Sequence, residues 1–414
     1  MLGKPAWIAL TTLSLLNLLN YADRYVIGSL LPFLQKPETE GGLAITDSQG
    51  GWLYSAFILV YIAVAPIFGV LADRGRRLHL LAIAVALWSI LTGAGAWAVG
   101  FWSLLIIRSL TGVGEAAYAS VAPAVLADEF PPSLRSRVMA LFNAAIPVGA
   151  AIGFSLGSLI GVRYGWRTAF LFAGVPGLIL AATIYLLRDP PRGGMDSKPC
   201  NHTLPNMLSA IQLIGHVRWS LCVLGYALQT ACFGSLGFWA PSYLQKIKGV
   251  SAEESGTIFG AIVVITGLFG TLAGGWWSDR WFKTDPAAHL KVCAITSFIA
   301  APLILAVVFI NNPYVLWPTI GAALFMLVMS VGPVNAQLVN VLDASERATG
   351  MAMAILGLHL LGDVPAVPIF GWISQQYSMN FAFGLLPIFA LLCGAVWWYA
   401  ARNEPPRVRD SALV

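Results

Sequence analysis

The sequence predicts an all-α membrane protein of twelve transmembrane helices in two six-helix bundles, and three observations carry that prediction. Hydrophobic residues make up 58% of the chain and charged residues 10%, against about 25% charged in soluble globular proteins. At about twenty apolar residues per crossing, the 414 residues leave room for about twelve spans and little for a soluble domain. A short pattern also recurs: Gly69-Val-Leu-Ala-Asp73-Arg74 closes the second apolar run, and Gly275-Trp-Trp-Ser-Asp279-Arg280 closes the eighth, 206 residues later. Two copies at the same position of each half point to a parallel six-plus-six repeat, with substrate held between the halves.

Apolar runs bounded by charges, prolines and glycines place the helices. The first covers about 6–34 and contains the adjacent charges Asp23 and Arg24; the second, about 48–72, runs into Asp73-Arg74. The third, about 78–99, follows Arg76-Arg77, and the fourth, about 101–127, contains Arg108 and Glu115 and stops before Asp128-Glu129 and Pro131-Pro132. The fifth, about 136–161, carries Ala145, Gly149, Gly153, Gly157 and Gly161 on one face, and the sixth, about 167–187, ends at Arg188. Six more follow at about 218–245, 252–278, 288–310, 313–342, 348–375 and 380–400.

The domains are therefore an N-terminal bundle at 1–187, a cytoplasmic linker at 188–217, a C-terminal bundle at 218–401 and a cytoplasmic tail at 402–414. Arg188-Asp-Pro-Pro-Arg192 has linker composition. Leu208, Ile211 and Ile214 are spaced for a short amphipathic helix over 204–217 on the membrane surface. Of the 24 Lys and Arg, seventeen fall in loops on the side of the termini, five on the other side and two inside the membrane. Positive loops stay inside, so both termini are expected in the cytoplasm, which in a bacterium makes this an inner-membrane protein. The N-terminal helix lacks a small-residue cleavage signature and is expected to be retained.

Asp23, Arg24, Arg108, Glu115 and Asp363 lie inside apolar runs, with His359 one helical turn before Asp363. A charge at mid-membrane costs about 3 kcal/mol even on lenient scales, so such residues face a bundle interior or a wet cavity and mark a substrate or ion pathway. The chain reads as a polytopic transporter. It has no GxSxG, no His-rich metal spacing and no Walker A loop, which argues against a lipid-modifying enzyme and against drive by ATP. The absence of a pore-type repeat argues mildly against a channel. Five cysteines, four of them in predicted spans, give neither a disulfide framework nor a ligand set. The net charge of +5 is explained by the loops and does not imply nucleic acid. No cofactor or metal is expected, and the partners are protons, a small amphipathic or anionic substrate and the bilayer, with the protein acting as a monomer.

These motifs give the chain a resemblance to the major facilitator superfamily over essentially its whole length. Gly69 to Arg77 resembles the signature between helices 2 and 3, one residue short between Arg74 and Gly75. Arg108-Ser-Leu-Thr-Gly112-Val-Gly114 is similar to the RxxxGxG of helix 4, often linked with proton-coupled members. Asn20-Tyr21-Ala-Asp23-Arg24, Gly112-Val-Gly-Glu115-Ala and His359-Leu-Leu-Gly-Asp363 resemble the spinster family in particular. Its animal members are associated with sphingosine phosphate export and lysophospholipid movement. The resemblance implies a proton-coupled secondary transporter of an amphipathic anion, such as a lysophospholipid or sphingolipid-like molecule, working by alternating access. The tyrosine-any-Asp-Arg motif is also similar to one in organic-anion symporters, and symport of a small organic anion is the alternative.

Neighbours on a helix point about 100° apart, so Asp23 and Arg24 address different partners. Arg108 and Glu115, seven apart, share a face. Asp23 and Glu115 are candidates for proton coupling, and Arg24, Arg108 and Asn20 for an anionic group. The bland alternative is a static ion-pair network joining helices 1 and 4. Helices 7 and 10 supply Tyr226, Phe233, Met326 and Asn335 as further substrate contacts, beside Gln229, Trp239, Met329 and Gln337, a mix that suits an amphipathic ligand and also suits plain packing. His359 and Asp363 form a secondary polar pair. Asp73, Arg74, Asp279 and Arg280 are expected to form a cytoplasmic gate. The small-residue face of helix 5 is expected to pack closely, with glycine-rich helix 8 as its partner.

Overall fold

The computed structural model describes residues 4–192, 195, 213–342 and 347–404. Among them no strand occurs, and twelve long helical segments follow one another. In chain order they are α1 (Lys4–Leu34), α2 (Asp47–Arg74), α3 (Arg77–Ala94), α4 (Phe101–Glu129), α5 (Pro132–Tyr164), α6 (Trp166–Leu186), α7 (Val217–Lys246), α8 (Ala252–Phe282), α9 (Ala288–Phe309), α10 (Pro313–Asn340), α11 (347–376) and α12 (Met379–Arg402). Eleven of them are long and apolar enough to cross a membrane, and α1, at 31 residues, exceeds the length that a crossing needs. The chain is a multi-pass, all-α membrane protein. Apart from residues 213–217 and 402–404, the expected surface helix over 204–217 and the tail lie outside the described residues; Leu213–Gly215 is a single 3-10 turn.

Local chemistry fixes several helix ends. Thr46 and Gln49 form a reciprocal capping box at the start of α2, Pro132 occupies the first turn of α5, where its missing N–H costs nothing, and the Asn312 side chain caps α10. Three helices are irregular inside. α8 holds a π segment at Thr266–Gly270 and α11 another at His359–Asp363. α10, read from sequence as one run, is interrupted between Val328 and Val331. Pro333 explains the interruption: it has no N–H for the carbonyl of Met329, four residues back. A methyl group at Gly274 of α8 would strike the same Met329 carbonyl, so the two backbones meet there.

The residues gather into two compact units. The first takes α1–α6 together with the segments 237–264 and 367–379; the second takes the first part of α7, the second part of α8, α9, α10, the first part of α11 and α12. In the first, α1 packs on α5, α2 on α4, and α3 on α4 and α6, around a core that includes Leu16, Trp88, Val121 and Phe130. In the second, Trp219, Leu290, Cys293, Leu338 and Trp397 form the core.

The glycine face of α5 meets α1 rather than α8. Methyl groups at Gly149 and Gly153 would strike the carbonyls of Leu18 and Ala22, and one at Gly157 would strike the Ser29 hydroxyl. The α8 glycines do approach α5, but on another face: Gly256 lies against Phe154 and Ser158, and Gly260 against Ala151 and Ser155. A four-residue glycine repeat identifies a face that must come close to something, and the sequence carries no label for the neighbour.

Candidate functional site

The α1–α5 seam sets α1 so that Asp23 and Arg24 turn toward α4. Two crossed ion pairs result: Arg24 Nη2 donates to Glu115 Oε2 at 3.2 Å, and Arg108 Nη1 donates to Asp23 Oδ2 at 3.2 Å. The adjacent α1 charges serve different partners, and those partners sit two turns apart on one face of α4. Glu115, Arg108 and Asp23 are at most 2% exposed and Arg24 is 9% exposed.

Each carboxylate uses one oxygen. Asp23 Oδ1 and Glu115 Oε1 are buried and have no hydrogen-bond partner among the described residues, and the same holds for Asn20 Nδ2, one turn below Asp23. Charge-assisted Arg–carboxylate bonds run to about 2.7–2.9 Å, so single bonds at 3.2 Å are long ones, and each acid keeps an open oxygen where a proton can bind.

α2 completes the surroundings. The Arg24 guanidinium lies 5.1 Å from the Tyr21 ring centre and 5.2 Å from those of Phe57 and Tyr61, and the Arg108 guanidinium lies 5.2 Å from Phe57. Glycines make this approach possible: a methyl group at Gly112 would stand 2.6 Å from the Phe57 carbonyl, and one at Gly114 would stand 2.5 Å from Ala84 O on α3. Phe57 and Tyr61 escaped sequence reading because aromatic residues four apart in an apolar run look like ordinary packing; that spacing was the only signal.

The other candidates on α7 and α10 belong to the second unit. Tyr226 packs against its core, Phe233 and Met326 are half-buried, and Asn335 donates to Val331 O of its own helix. Gln229 donates to Leu327 O and the Ser330 hydroxyl, which ties α7 to the interruption in α10. Trp239 belongs to the first unit, fully buried and stacked on Phe370 with ring centres 5.3 Å apart. His359 Nδ1 lies 3.0 and 3.1 Å from the two Asp363 oxygens, within the π segment, where Gly234 of α7 leaves room for the Asp363 Cβ.

Of the gate candidates, Arg74, Asp279 and Arg280 are exposed, and the Asp73 side chain lies outside the described residues. The end of the first unit where α2 runs into α3 is tied by other groups. Arg77 bridges Asp128 at 2.5 Å and Asp189 at 3.3 Å, and Arg192 donates to the carbonyls of Ala72 and Gly75. At its opposite end Asp47 accepts from Gln35 at 2.6 Å, Lys246 at 3.1 Å and Ser374 at 2.6 Å. This junction joins the ends of α1, α2, α7 and α11.

The chain matches the family model of the Major Facilitator Superfamily over residues 13–362. It is 33% identical over 416 residues to protein spinster homolog 1 of Homo sapiens, covering 94% of this chain and 77% of that protein. It is 32% identical over 398 residues to protein spinster homolog 1 of Xenopus laevis, covering 90% of this chain and 74% of that protein. Its fold is similar to a crystal structure of a bacterial homologue of the human lysosomal transporter spinster, inward-facing and unoccupied, with a TM-score of 0.86 at 21% identity over 97% of this chain and 98% of that one.

Proposed function

The chain belongs to the spinster family of the major facilitator superfamily, and from that premise we propose that this membrane transporter is a proton-coupled secondary carrier of an amphipathic anion, a lysophospholipid or sphingolipid-like molecule. The observation that carries the proposal is the crossed pair Arg24–Glu115 and Arg108–Asp23, buried between α1 and α4, with one oxygen of each acid open. Protonating an acid releases its arginine, and a released guanidinium in a water-poor site is a strong receptor for an anionic headgroup. Asp23 and Glu115 then carry the proton, while Arg24 and Arg108, with Asn20 beside them, take the headgroup. Tyr226, Phe233, Met326 and Asn335 contact the rest of the substrate, and His359–Asp363 is a secondary polar pair. The bundles at 1–187 and 218–401 alternate access around the substrate, and Asp73, Arg74, Asp279 and Arg280 close the cytoplasmic side.

The test is purified protein in proteoliposomes with an imposed pH gradient and a panel of anionic lysolipids and small organic anions. Gradient-driven movement of the lysolipids, with little of the small anions, supports the reading. Movement of the small anions alone establishes an organic-anion symporter instead, and movement indifferent to the gradient removes proton coupling.

A further inference from the structure

Four charges in one buried site can pair in more than one way. The 100° step turns Arg24 and Asp23 to different sides of α1, but both arginines are long and flexible and Arg108 shares a helix face with Glu115, so exchanged pairs stay within reach. Only one combination occurs, Arg24 with Glu115 and Arg108 with Asp23. The acids alone do not force that choice, since each offers an open oxygen.

Phe57 is the feature common to both cations. Its ring centre is 5.2 Å from each guanidinium, it is 1% exposed, and its backbone is held against Gly112, which lies between Arg108 and Glu115 on α4. Tyr61 stacks against it, with centres 6.4 Å apart and planes 20° apart, and faces Arg24, as Tyr21 does. An aromatic face attracts a cation without offering a charge that competes with the carboxylates. A fixed ring 5.2 Å from both guanidiniums therefore favours the positions that each one holds on its own carboxylate.

We propose that Phe57 is a positioning residue that keeps the two ion pairs separate, holding Arg24 on Glu115 and Arg108 on Asp23. This rests on the reading of those pairs as the coupling site. In that setting the ring has a further consequence: when Glu115 takes a proton, Arg24 remains among Tyr21, Phe57 and Tyr61 instead of moving to Asp23, and its charge stays available to an anion.

Double-mutant cycles on thermal unfolding of the purified full-length protein test this without any transport measurement. Cycles between Arg24→Gln and Glu115→Gln and between Arg108→Gln and Asp23→Asn report the observed pairs; those between Arg24→Gln and Asp23→Asn and between Arg108→Gln and Glu115→Gln report the exchanged ones. With Phe57 present, non-additivity is expected in the first two and little in the others. With Phe57→Leu, the first two are expected to fall to about half or less and the exchanged pairs to rise, and Phe57→Tyr is expected to restore the original pattern. A Phe57→Leu background that lowers every unfolding midpoint alike but leaves the partner pattern unchanged would show a packing residue only and overturn the proposal. Failure of the coupling reading shows elsewhere, as Glu115→Gln protein that still accumulates substrate along a pH gradient, and it leaves the cycle result standing.

Discussion

Four charged side chains inside an apolar bundle are tolerated because each is paired at 3.2 Å with an opposite charge on the facing helix. Removing one partner strands the other, at about 3–5 kcal/mol for a buried charge. Arg24→Gln alone is therefore expected to lower the unfolding midpoint clearly, and Arg24→Gln with Glu115→Gln to recover part of the loss. A double variant whose loss equals the sum of the two single losses would mean that the pair contributes nothing to stability. The charges were legible in the sequence because a charge in an apolar run is expensive and has to be explained. Their pairing was legible only in part: the 100° step between Asp23 and Arg24 requires two partners, but which acid goes with which arginine depends on how α1 is set against α4. Phe57 was invisible, since nothing about a phenylalanine in a span distinguishes a cation's neighbour from packing.

At the scale of elements, the α1–α5 seam controls the site. A side chain at Gly153 would strike the carbonyl of Ala22, next to Asp23. Overpacking typically costs about 1–3 kcal/mol, so Gly153→Leu is expected to fold and to lose transport, as α1 is pushed off register with α4. Normal transport at normal expression would show that the seam has slack. The junction at Asp47 makes a graded prediction. Lys246 is well exposed, and such pairs contribute under about 1 kcal/mol, whereas the bonds from Gln35 and Ser374 go to a mostly buried carboxylate at about 1.5–3 kcal/mol in all. Asp47→Ala is expected to lower the unfolding midpoint more than Lys246→Gln, and equal effects would shift the weight to the ion pair. In the loop before α9, partial burial works against the Asp285 carboxylate, yet its hydrogen bonds from Lys291 and the Ala287 amide hold it below the ordinary range. Its contribution is present at neutral pH and lost in acid, so Asp285→Asn is expected to cost stability at pH 7, and the difference from the native protein to close as pH falls below about 4. Helix positions were readable from hydropathy because bilayer thickness sets a length. The π segments and the interruption in α10 were not, apart from the warning that Pro333 carries.

For the molecule as a whole, twelve helices followed from composition and the repeated GxxxDR, and family membership from the resemblance that the motifs in helices 1, 4 and 11 carry. The partition into compact units did not, because three helices of the second half contribute segments to the unit built around α1–α6, and no local pattern encodes that. The lopsided loop charges predict that cysteines introduced near Arg192 and Arg407, in a background without native cysteines, are labelled only from the cytoplasmic side, and one near Lys248 only from the other. A mixed pattern would remove the topology. The central claim is that Glu115 links protons to substrate, and the most direct measurement compares native protein with Glu115→Gln in the same proteoliposomes, for accumulation along a pH gradient and for exchange without one. The substitution keeps the shape and fixes a neutral side chain, so exchange is expected to persist while accumulation fails; full gradient-driven accumulation by Glu115→Gln would contradict the account.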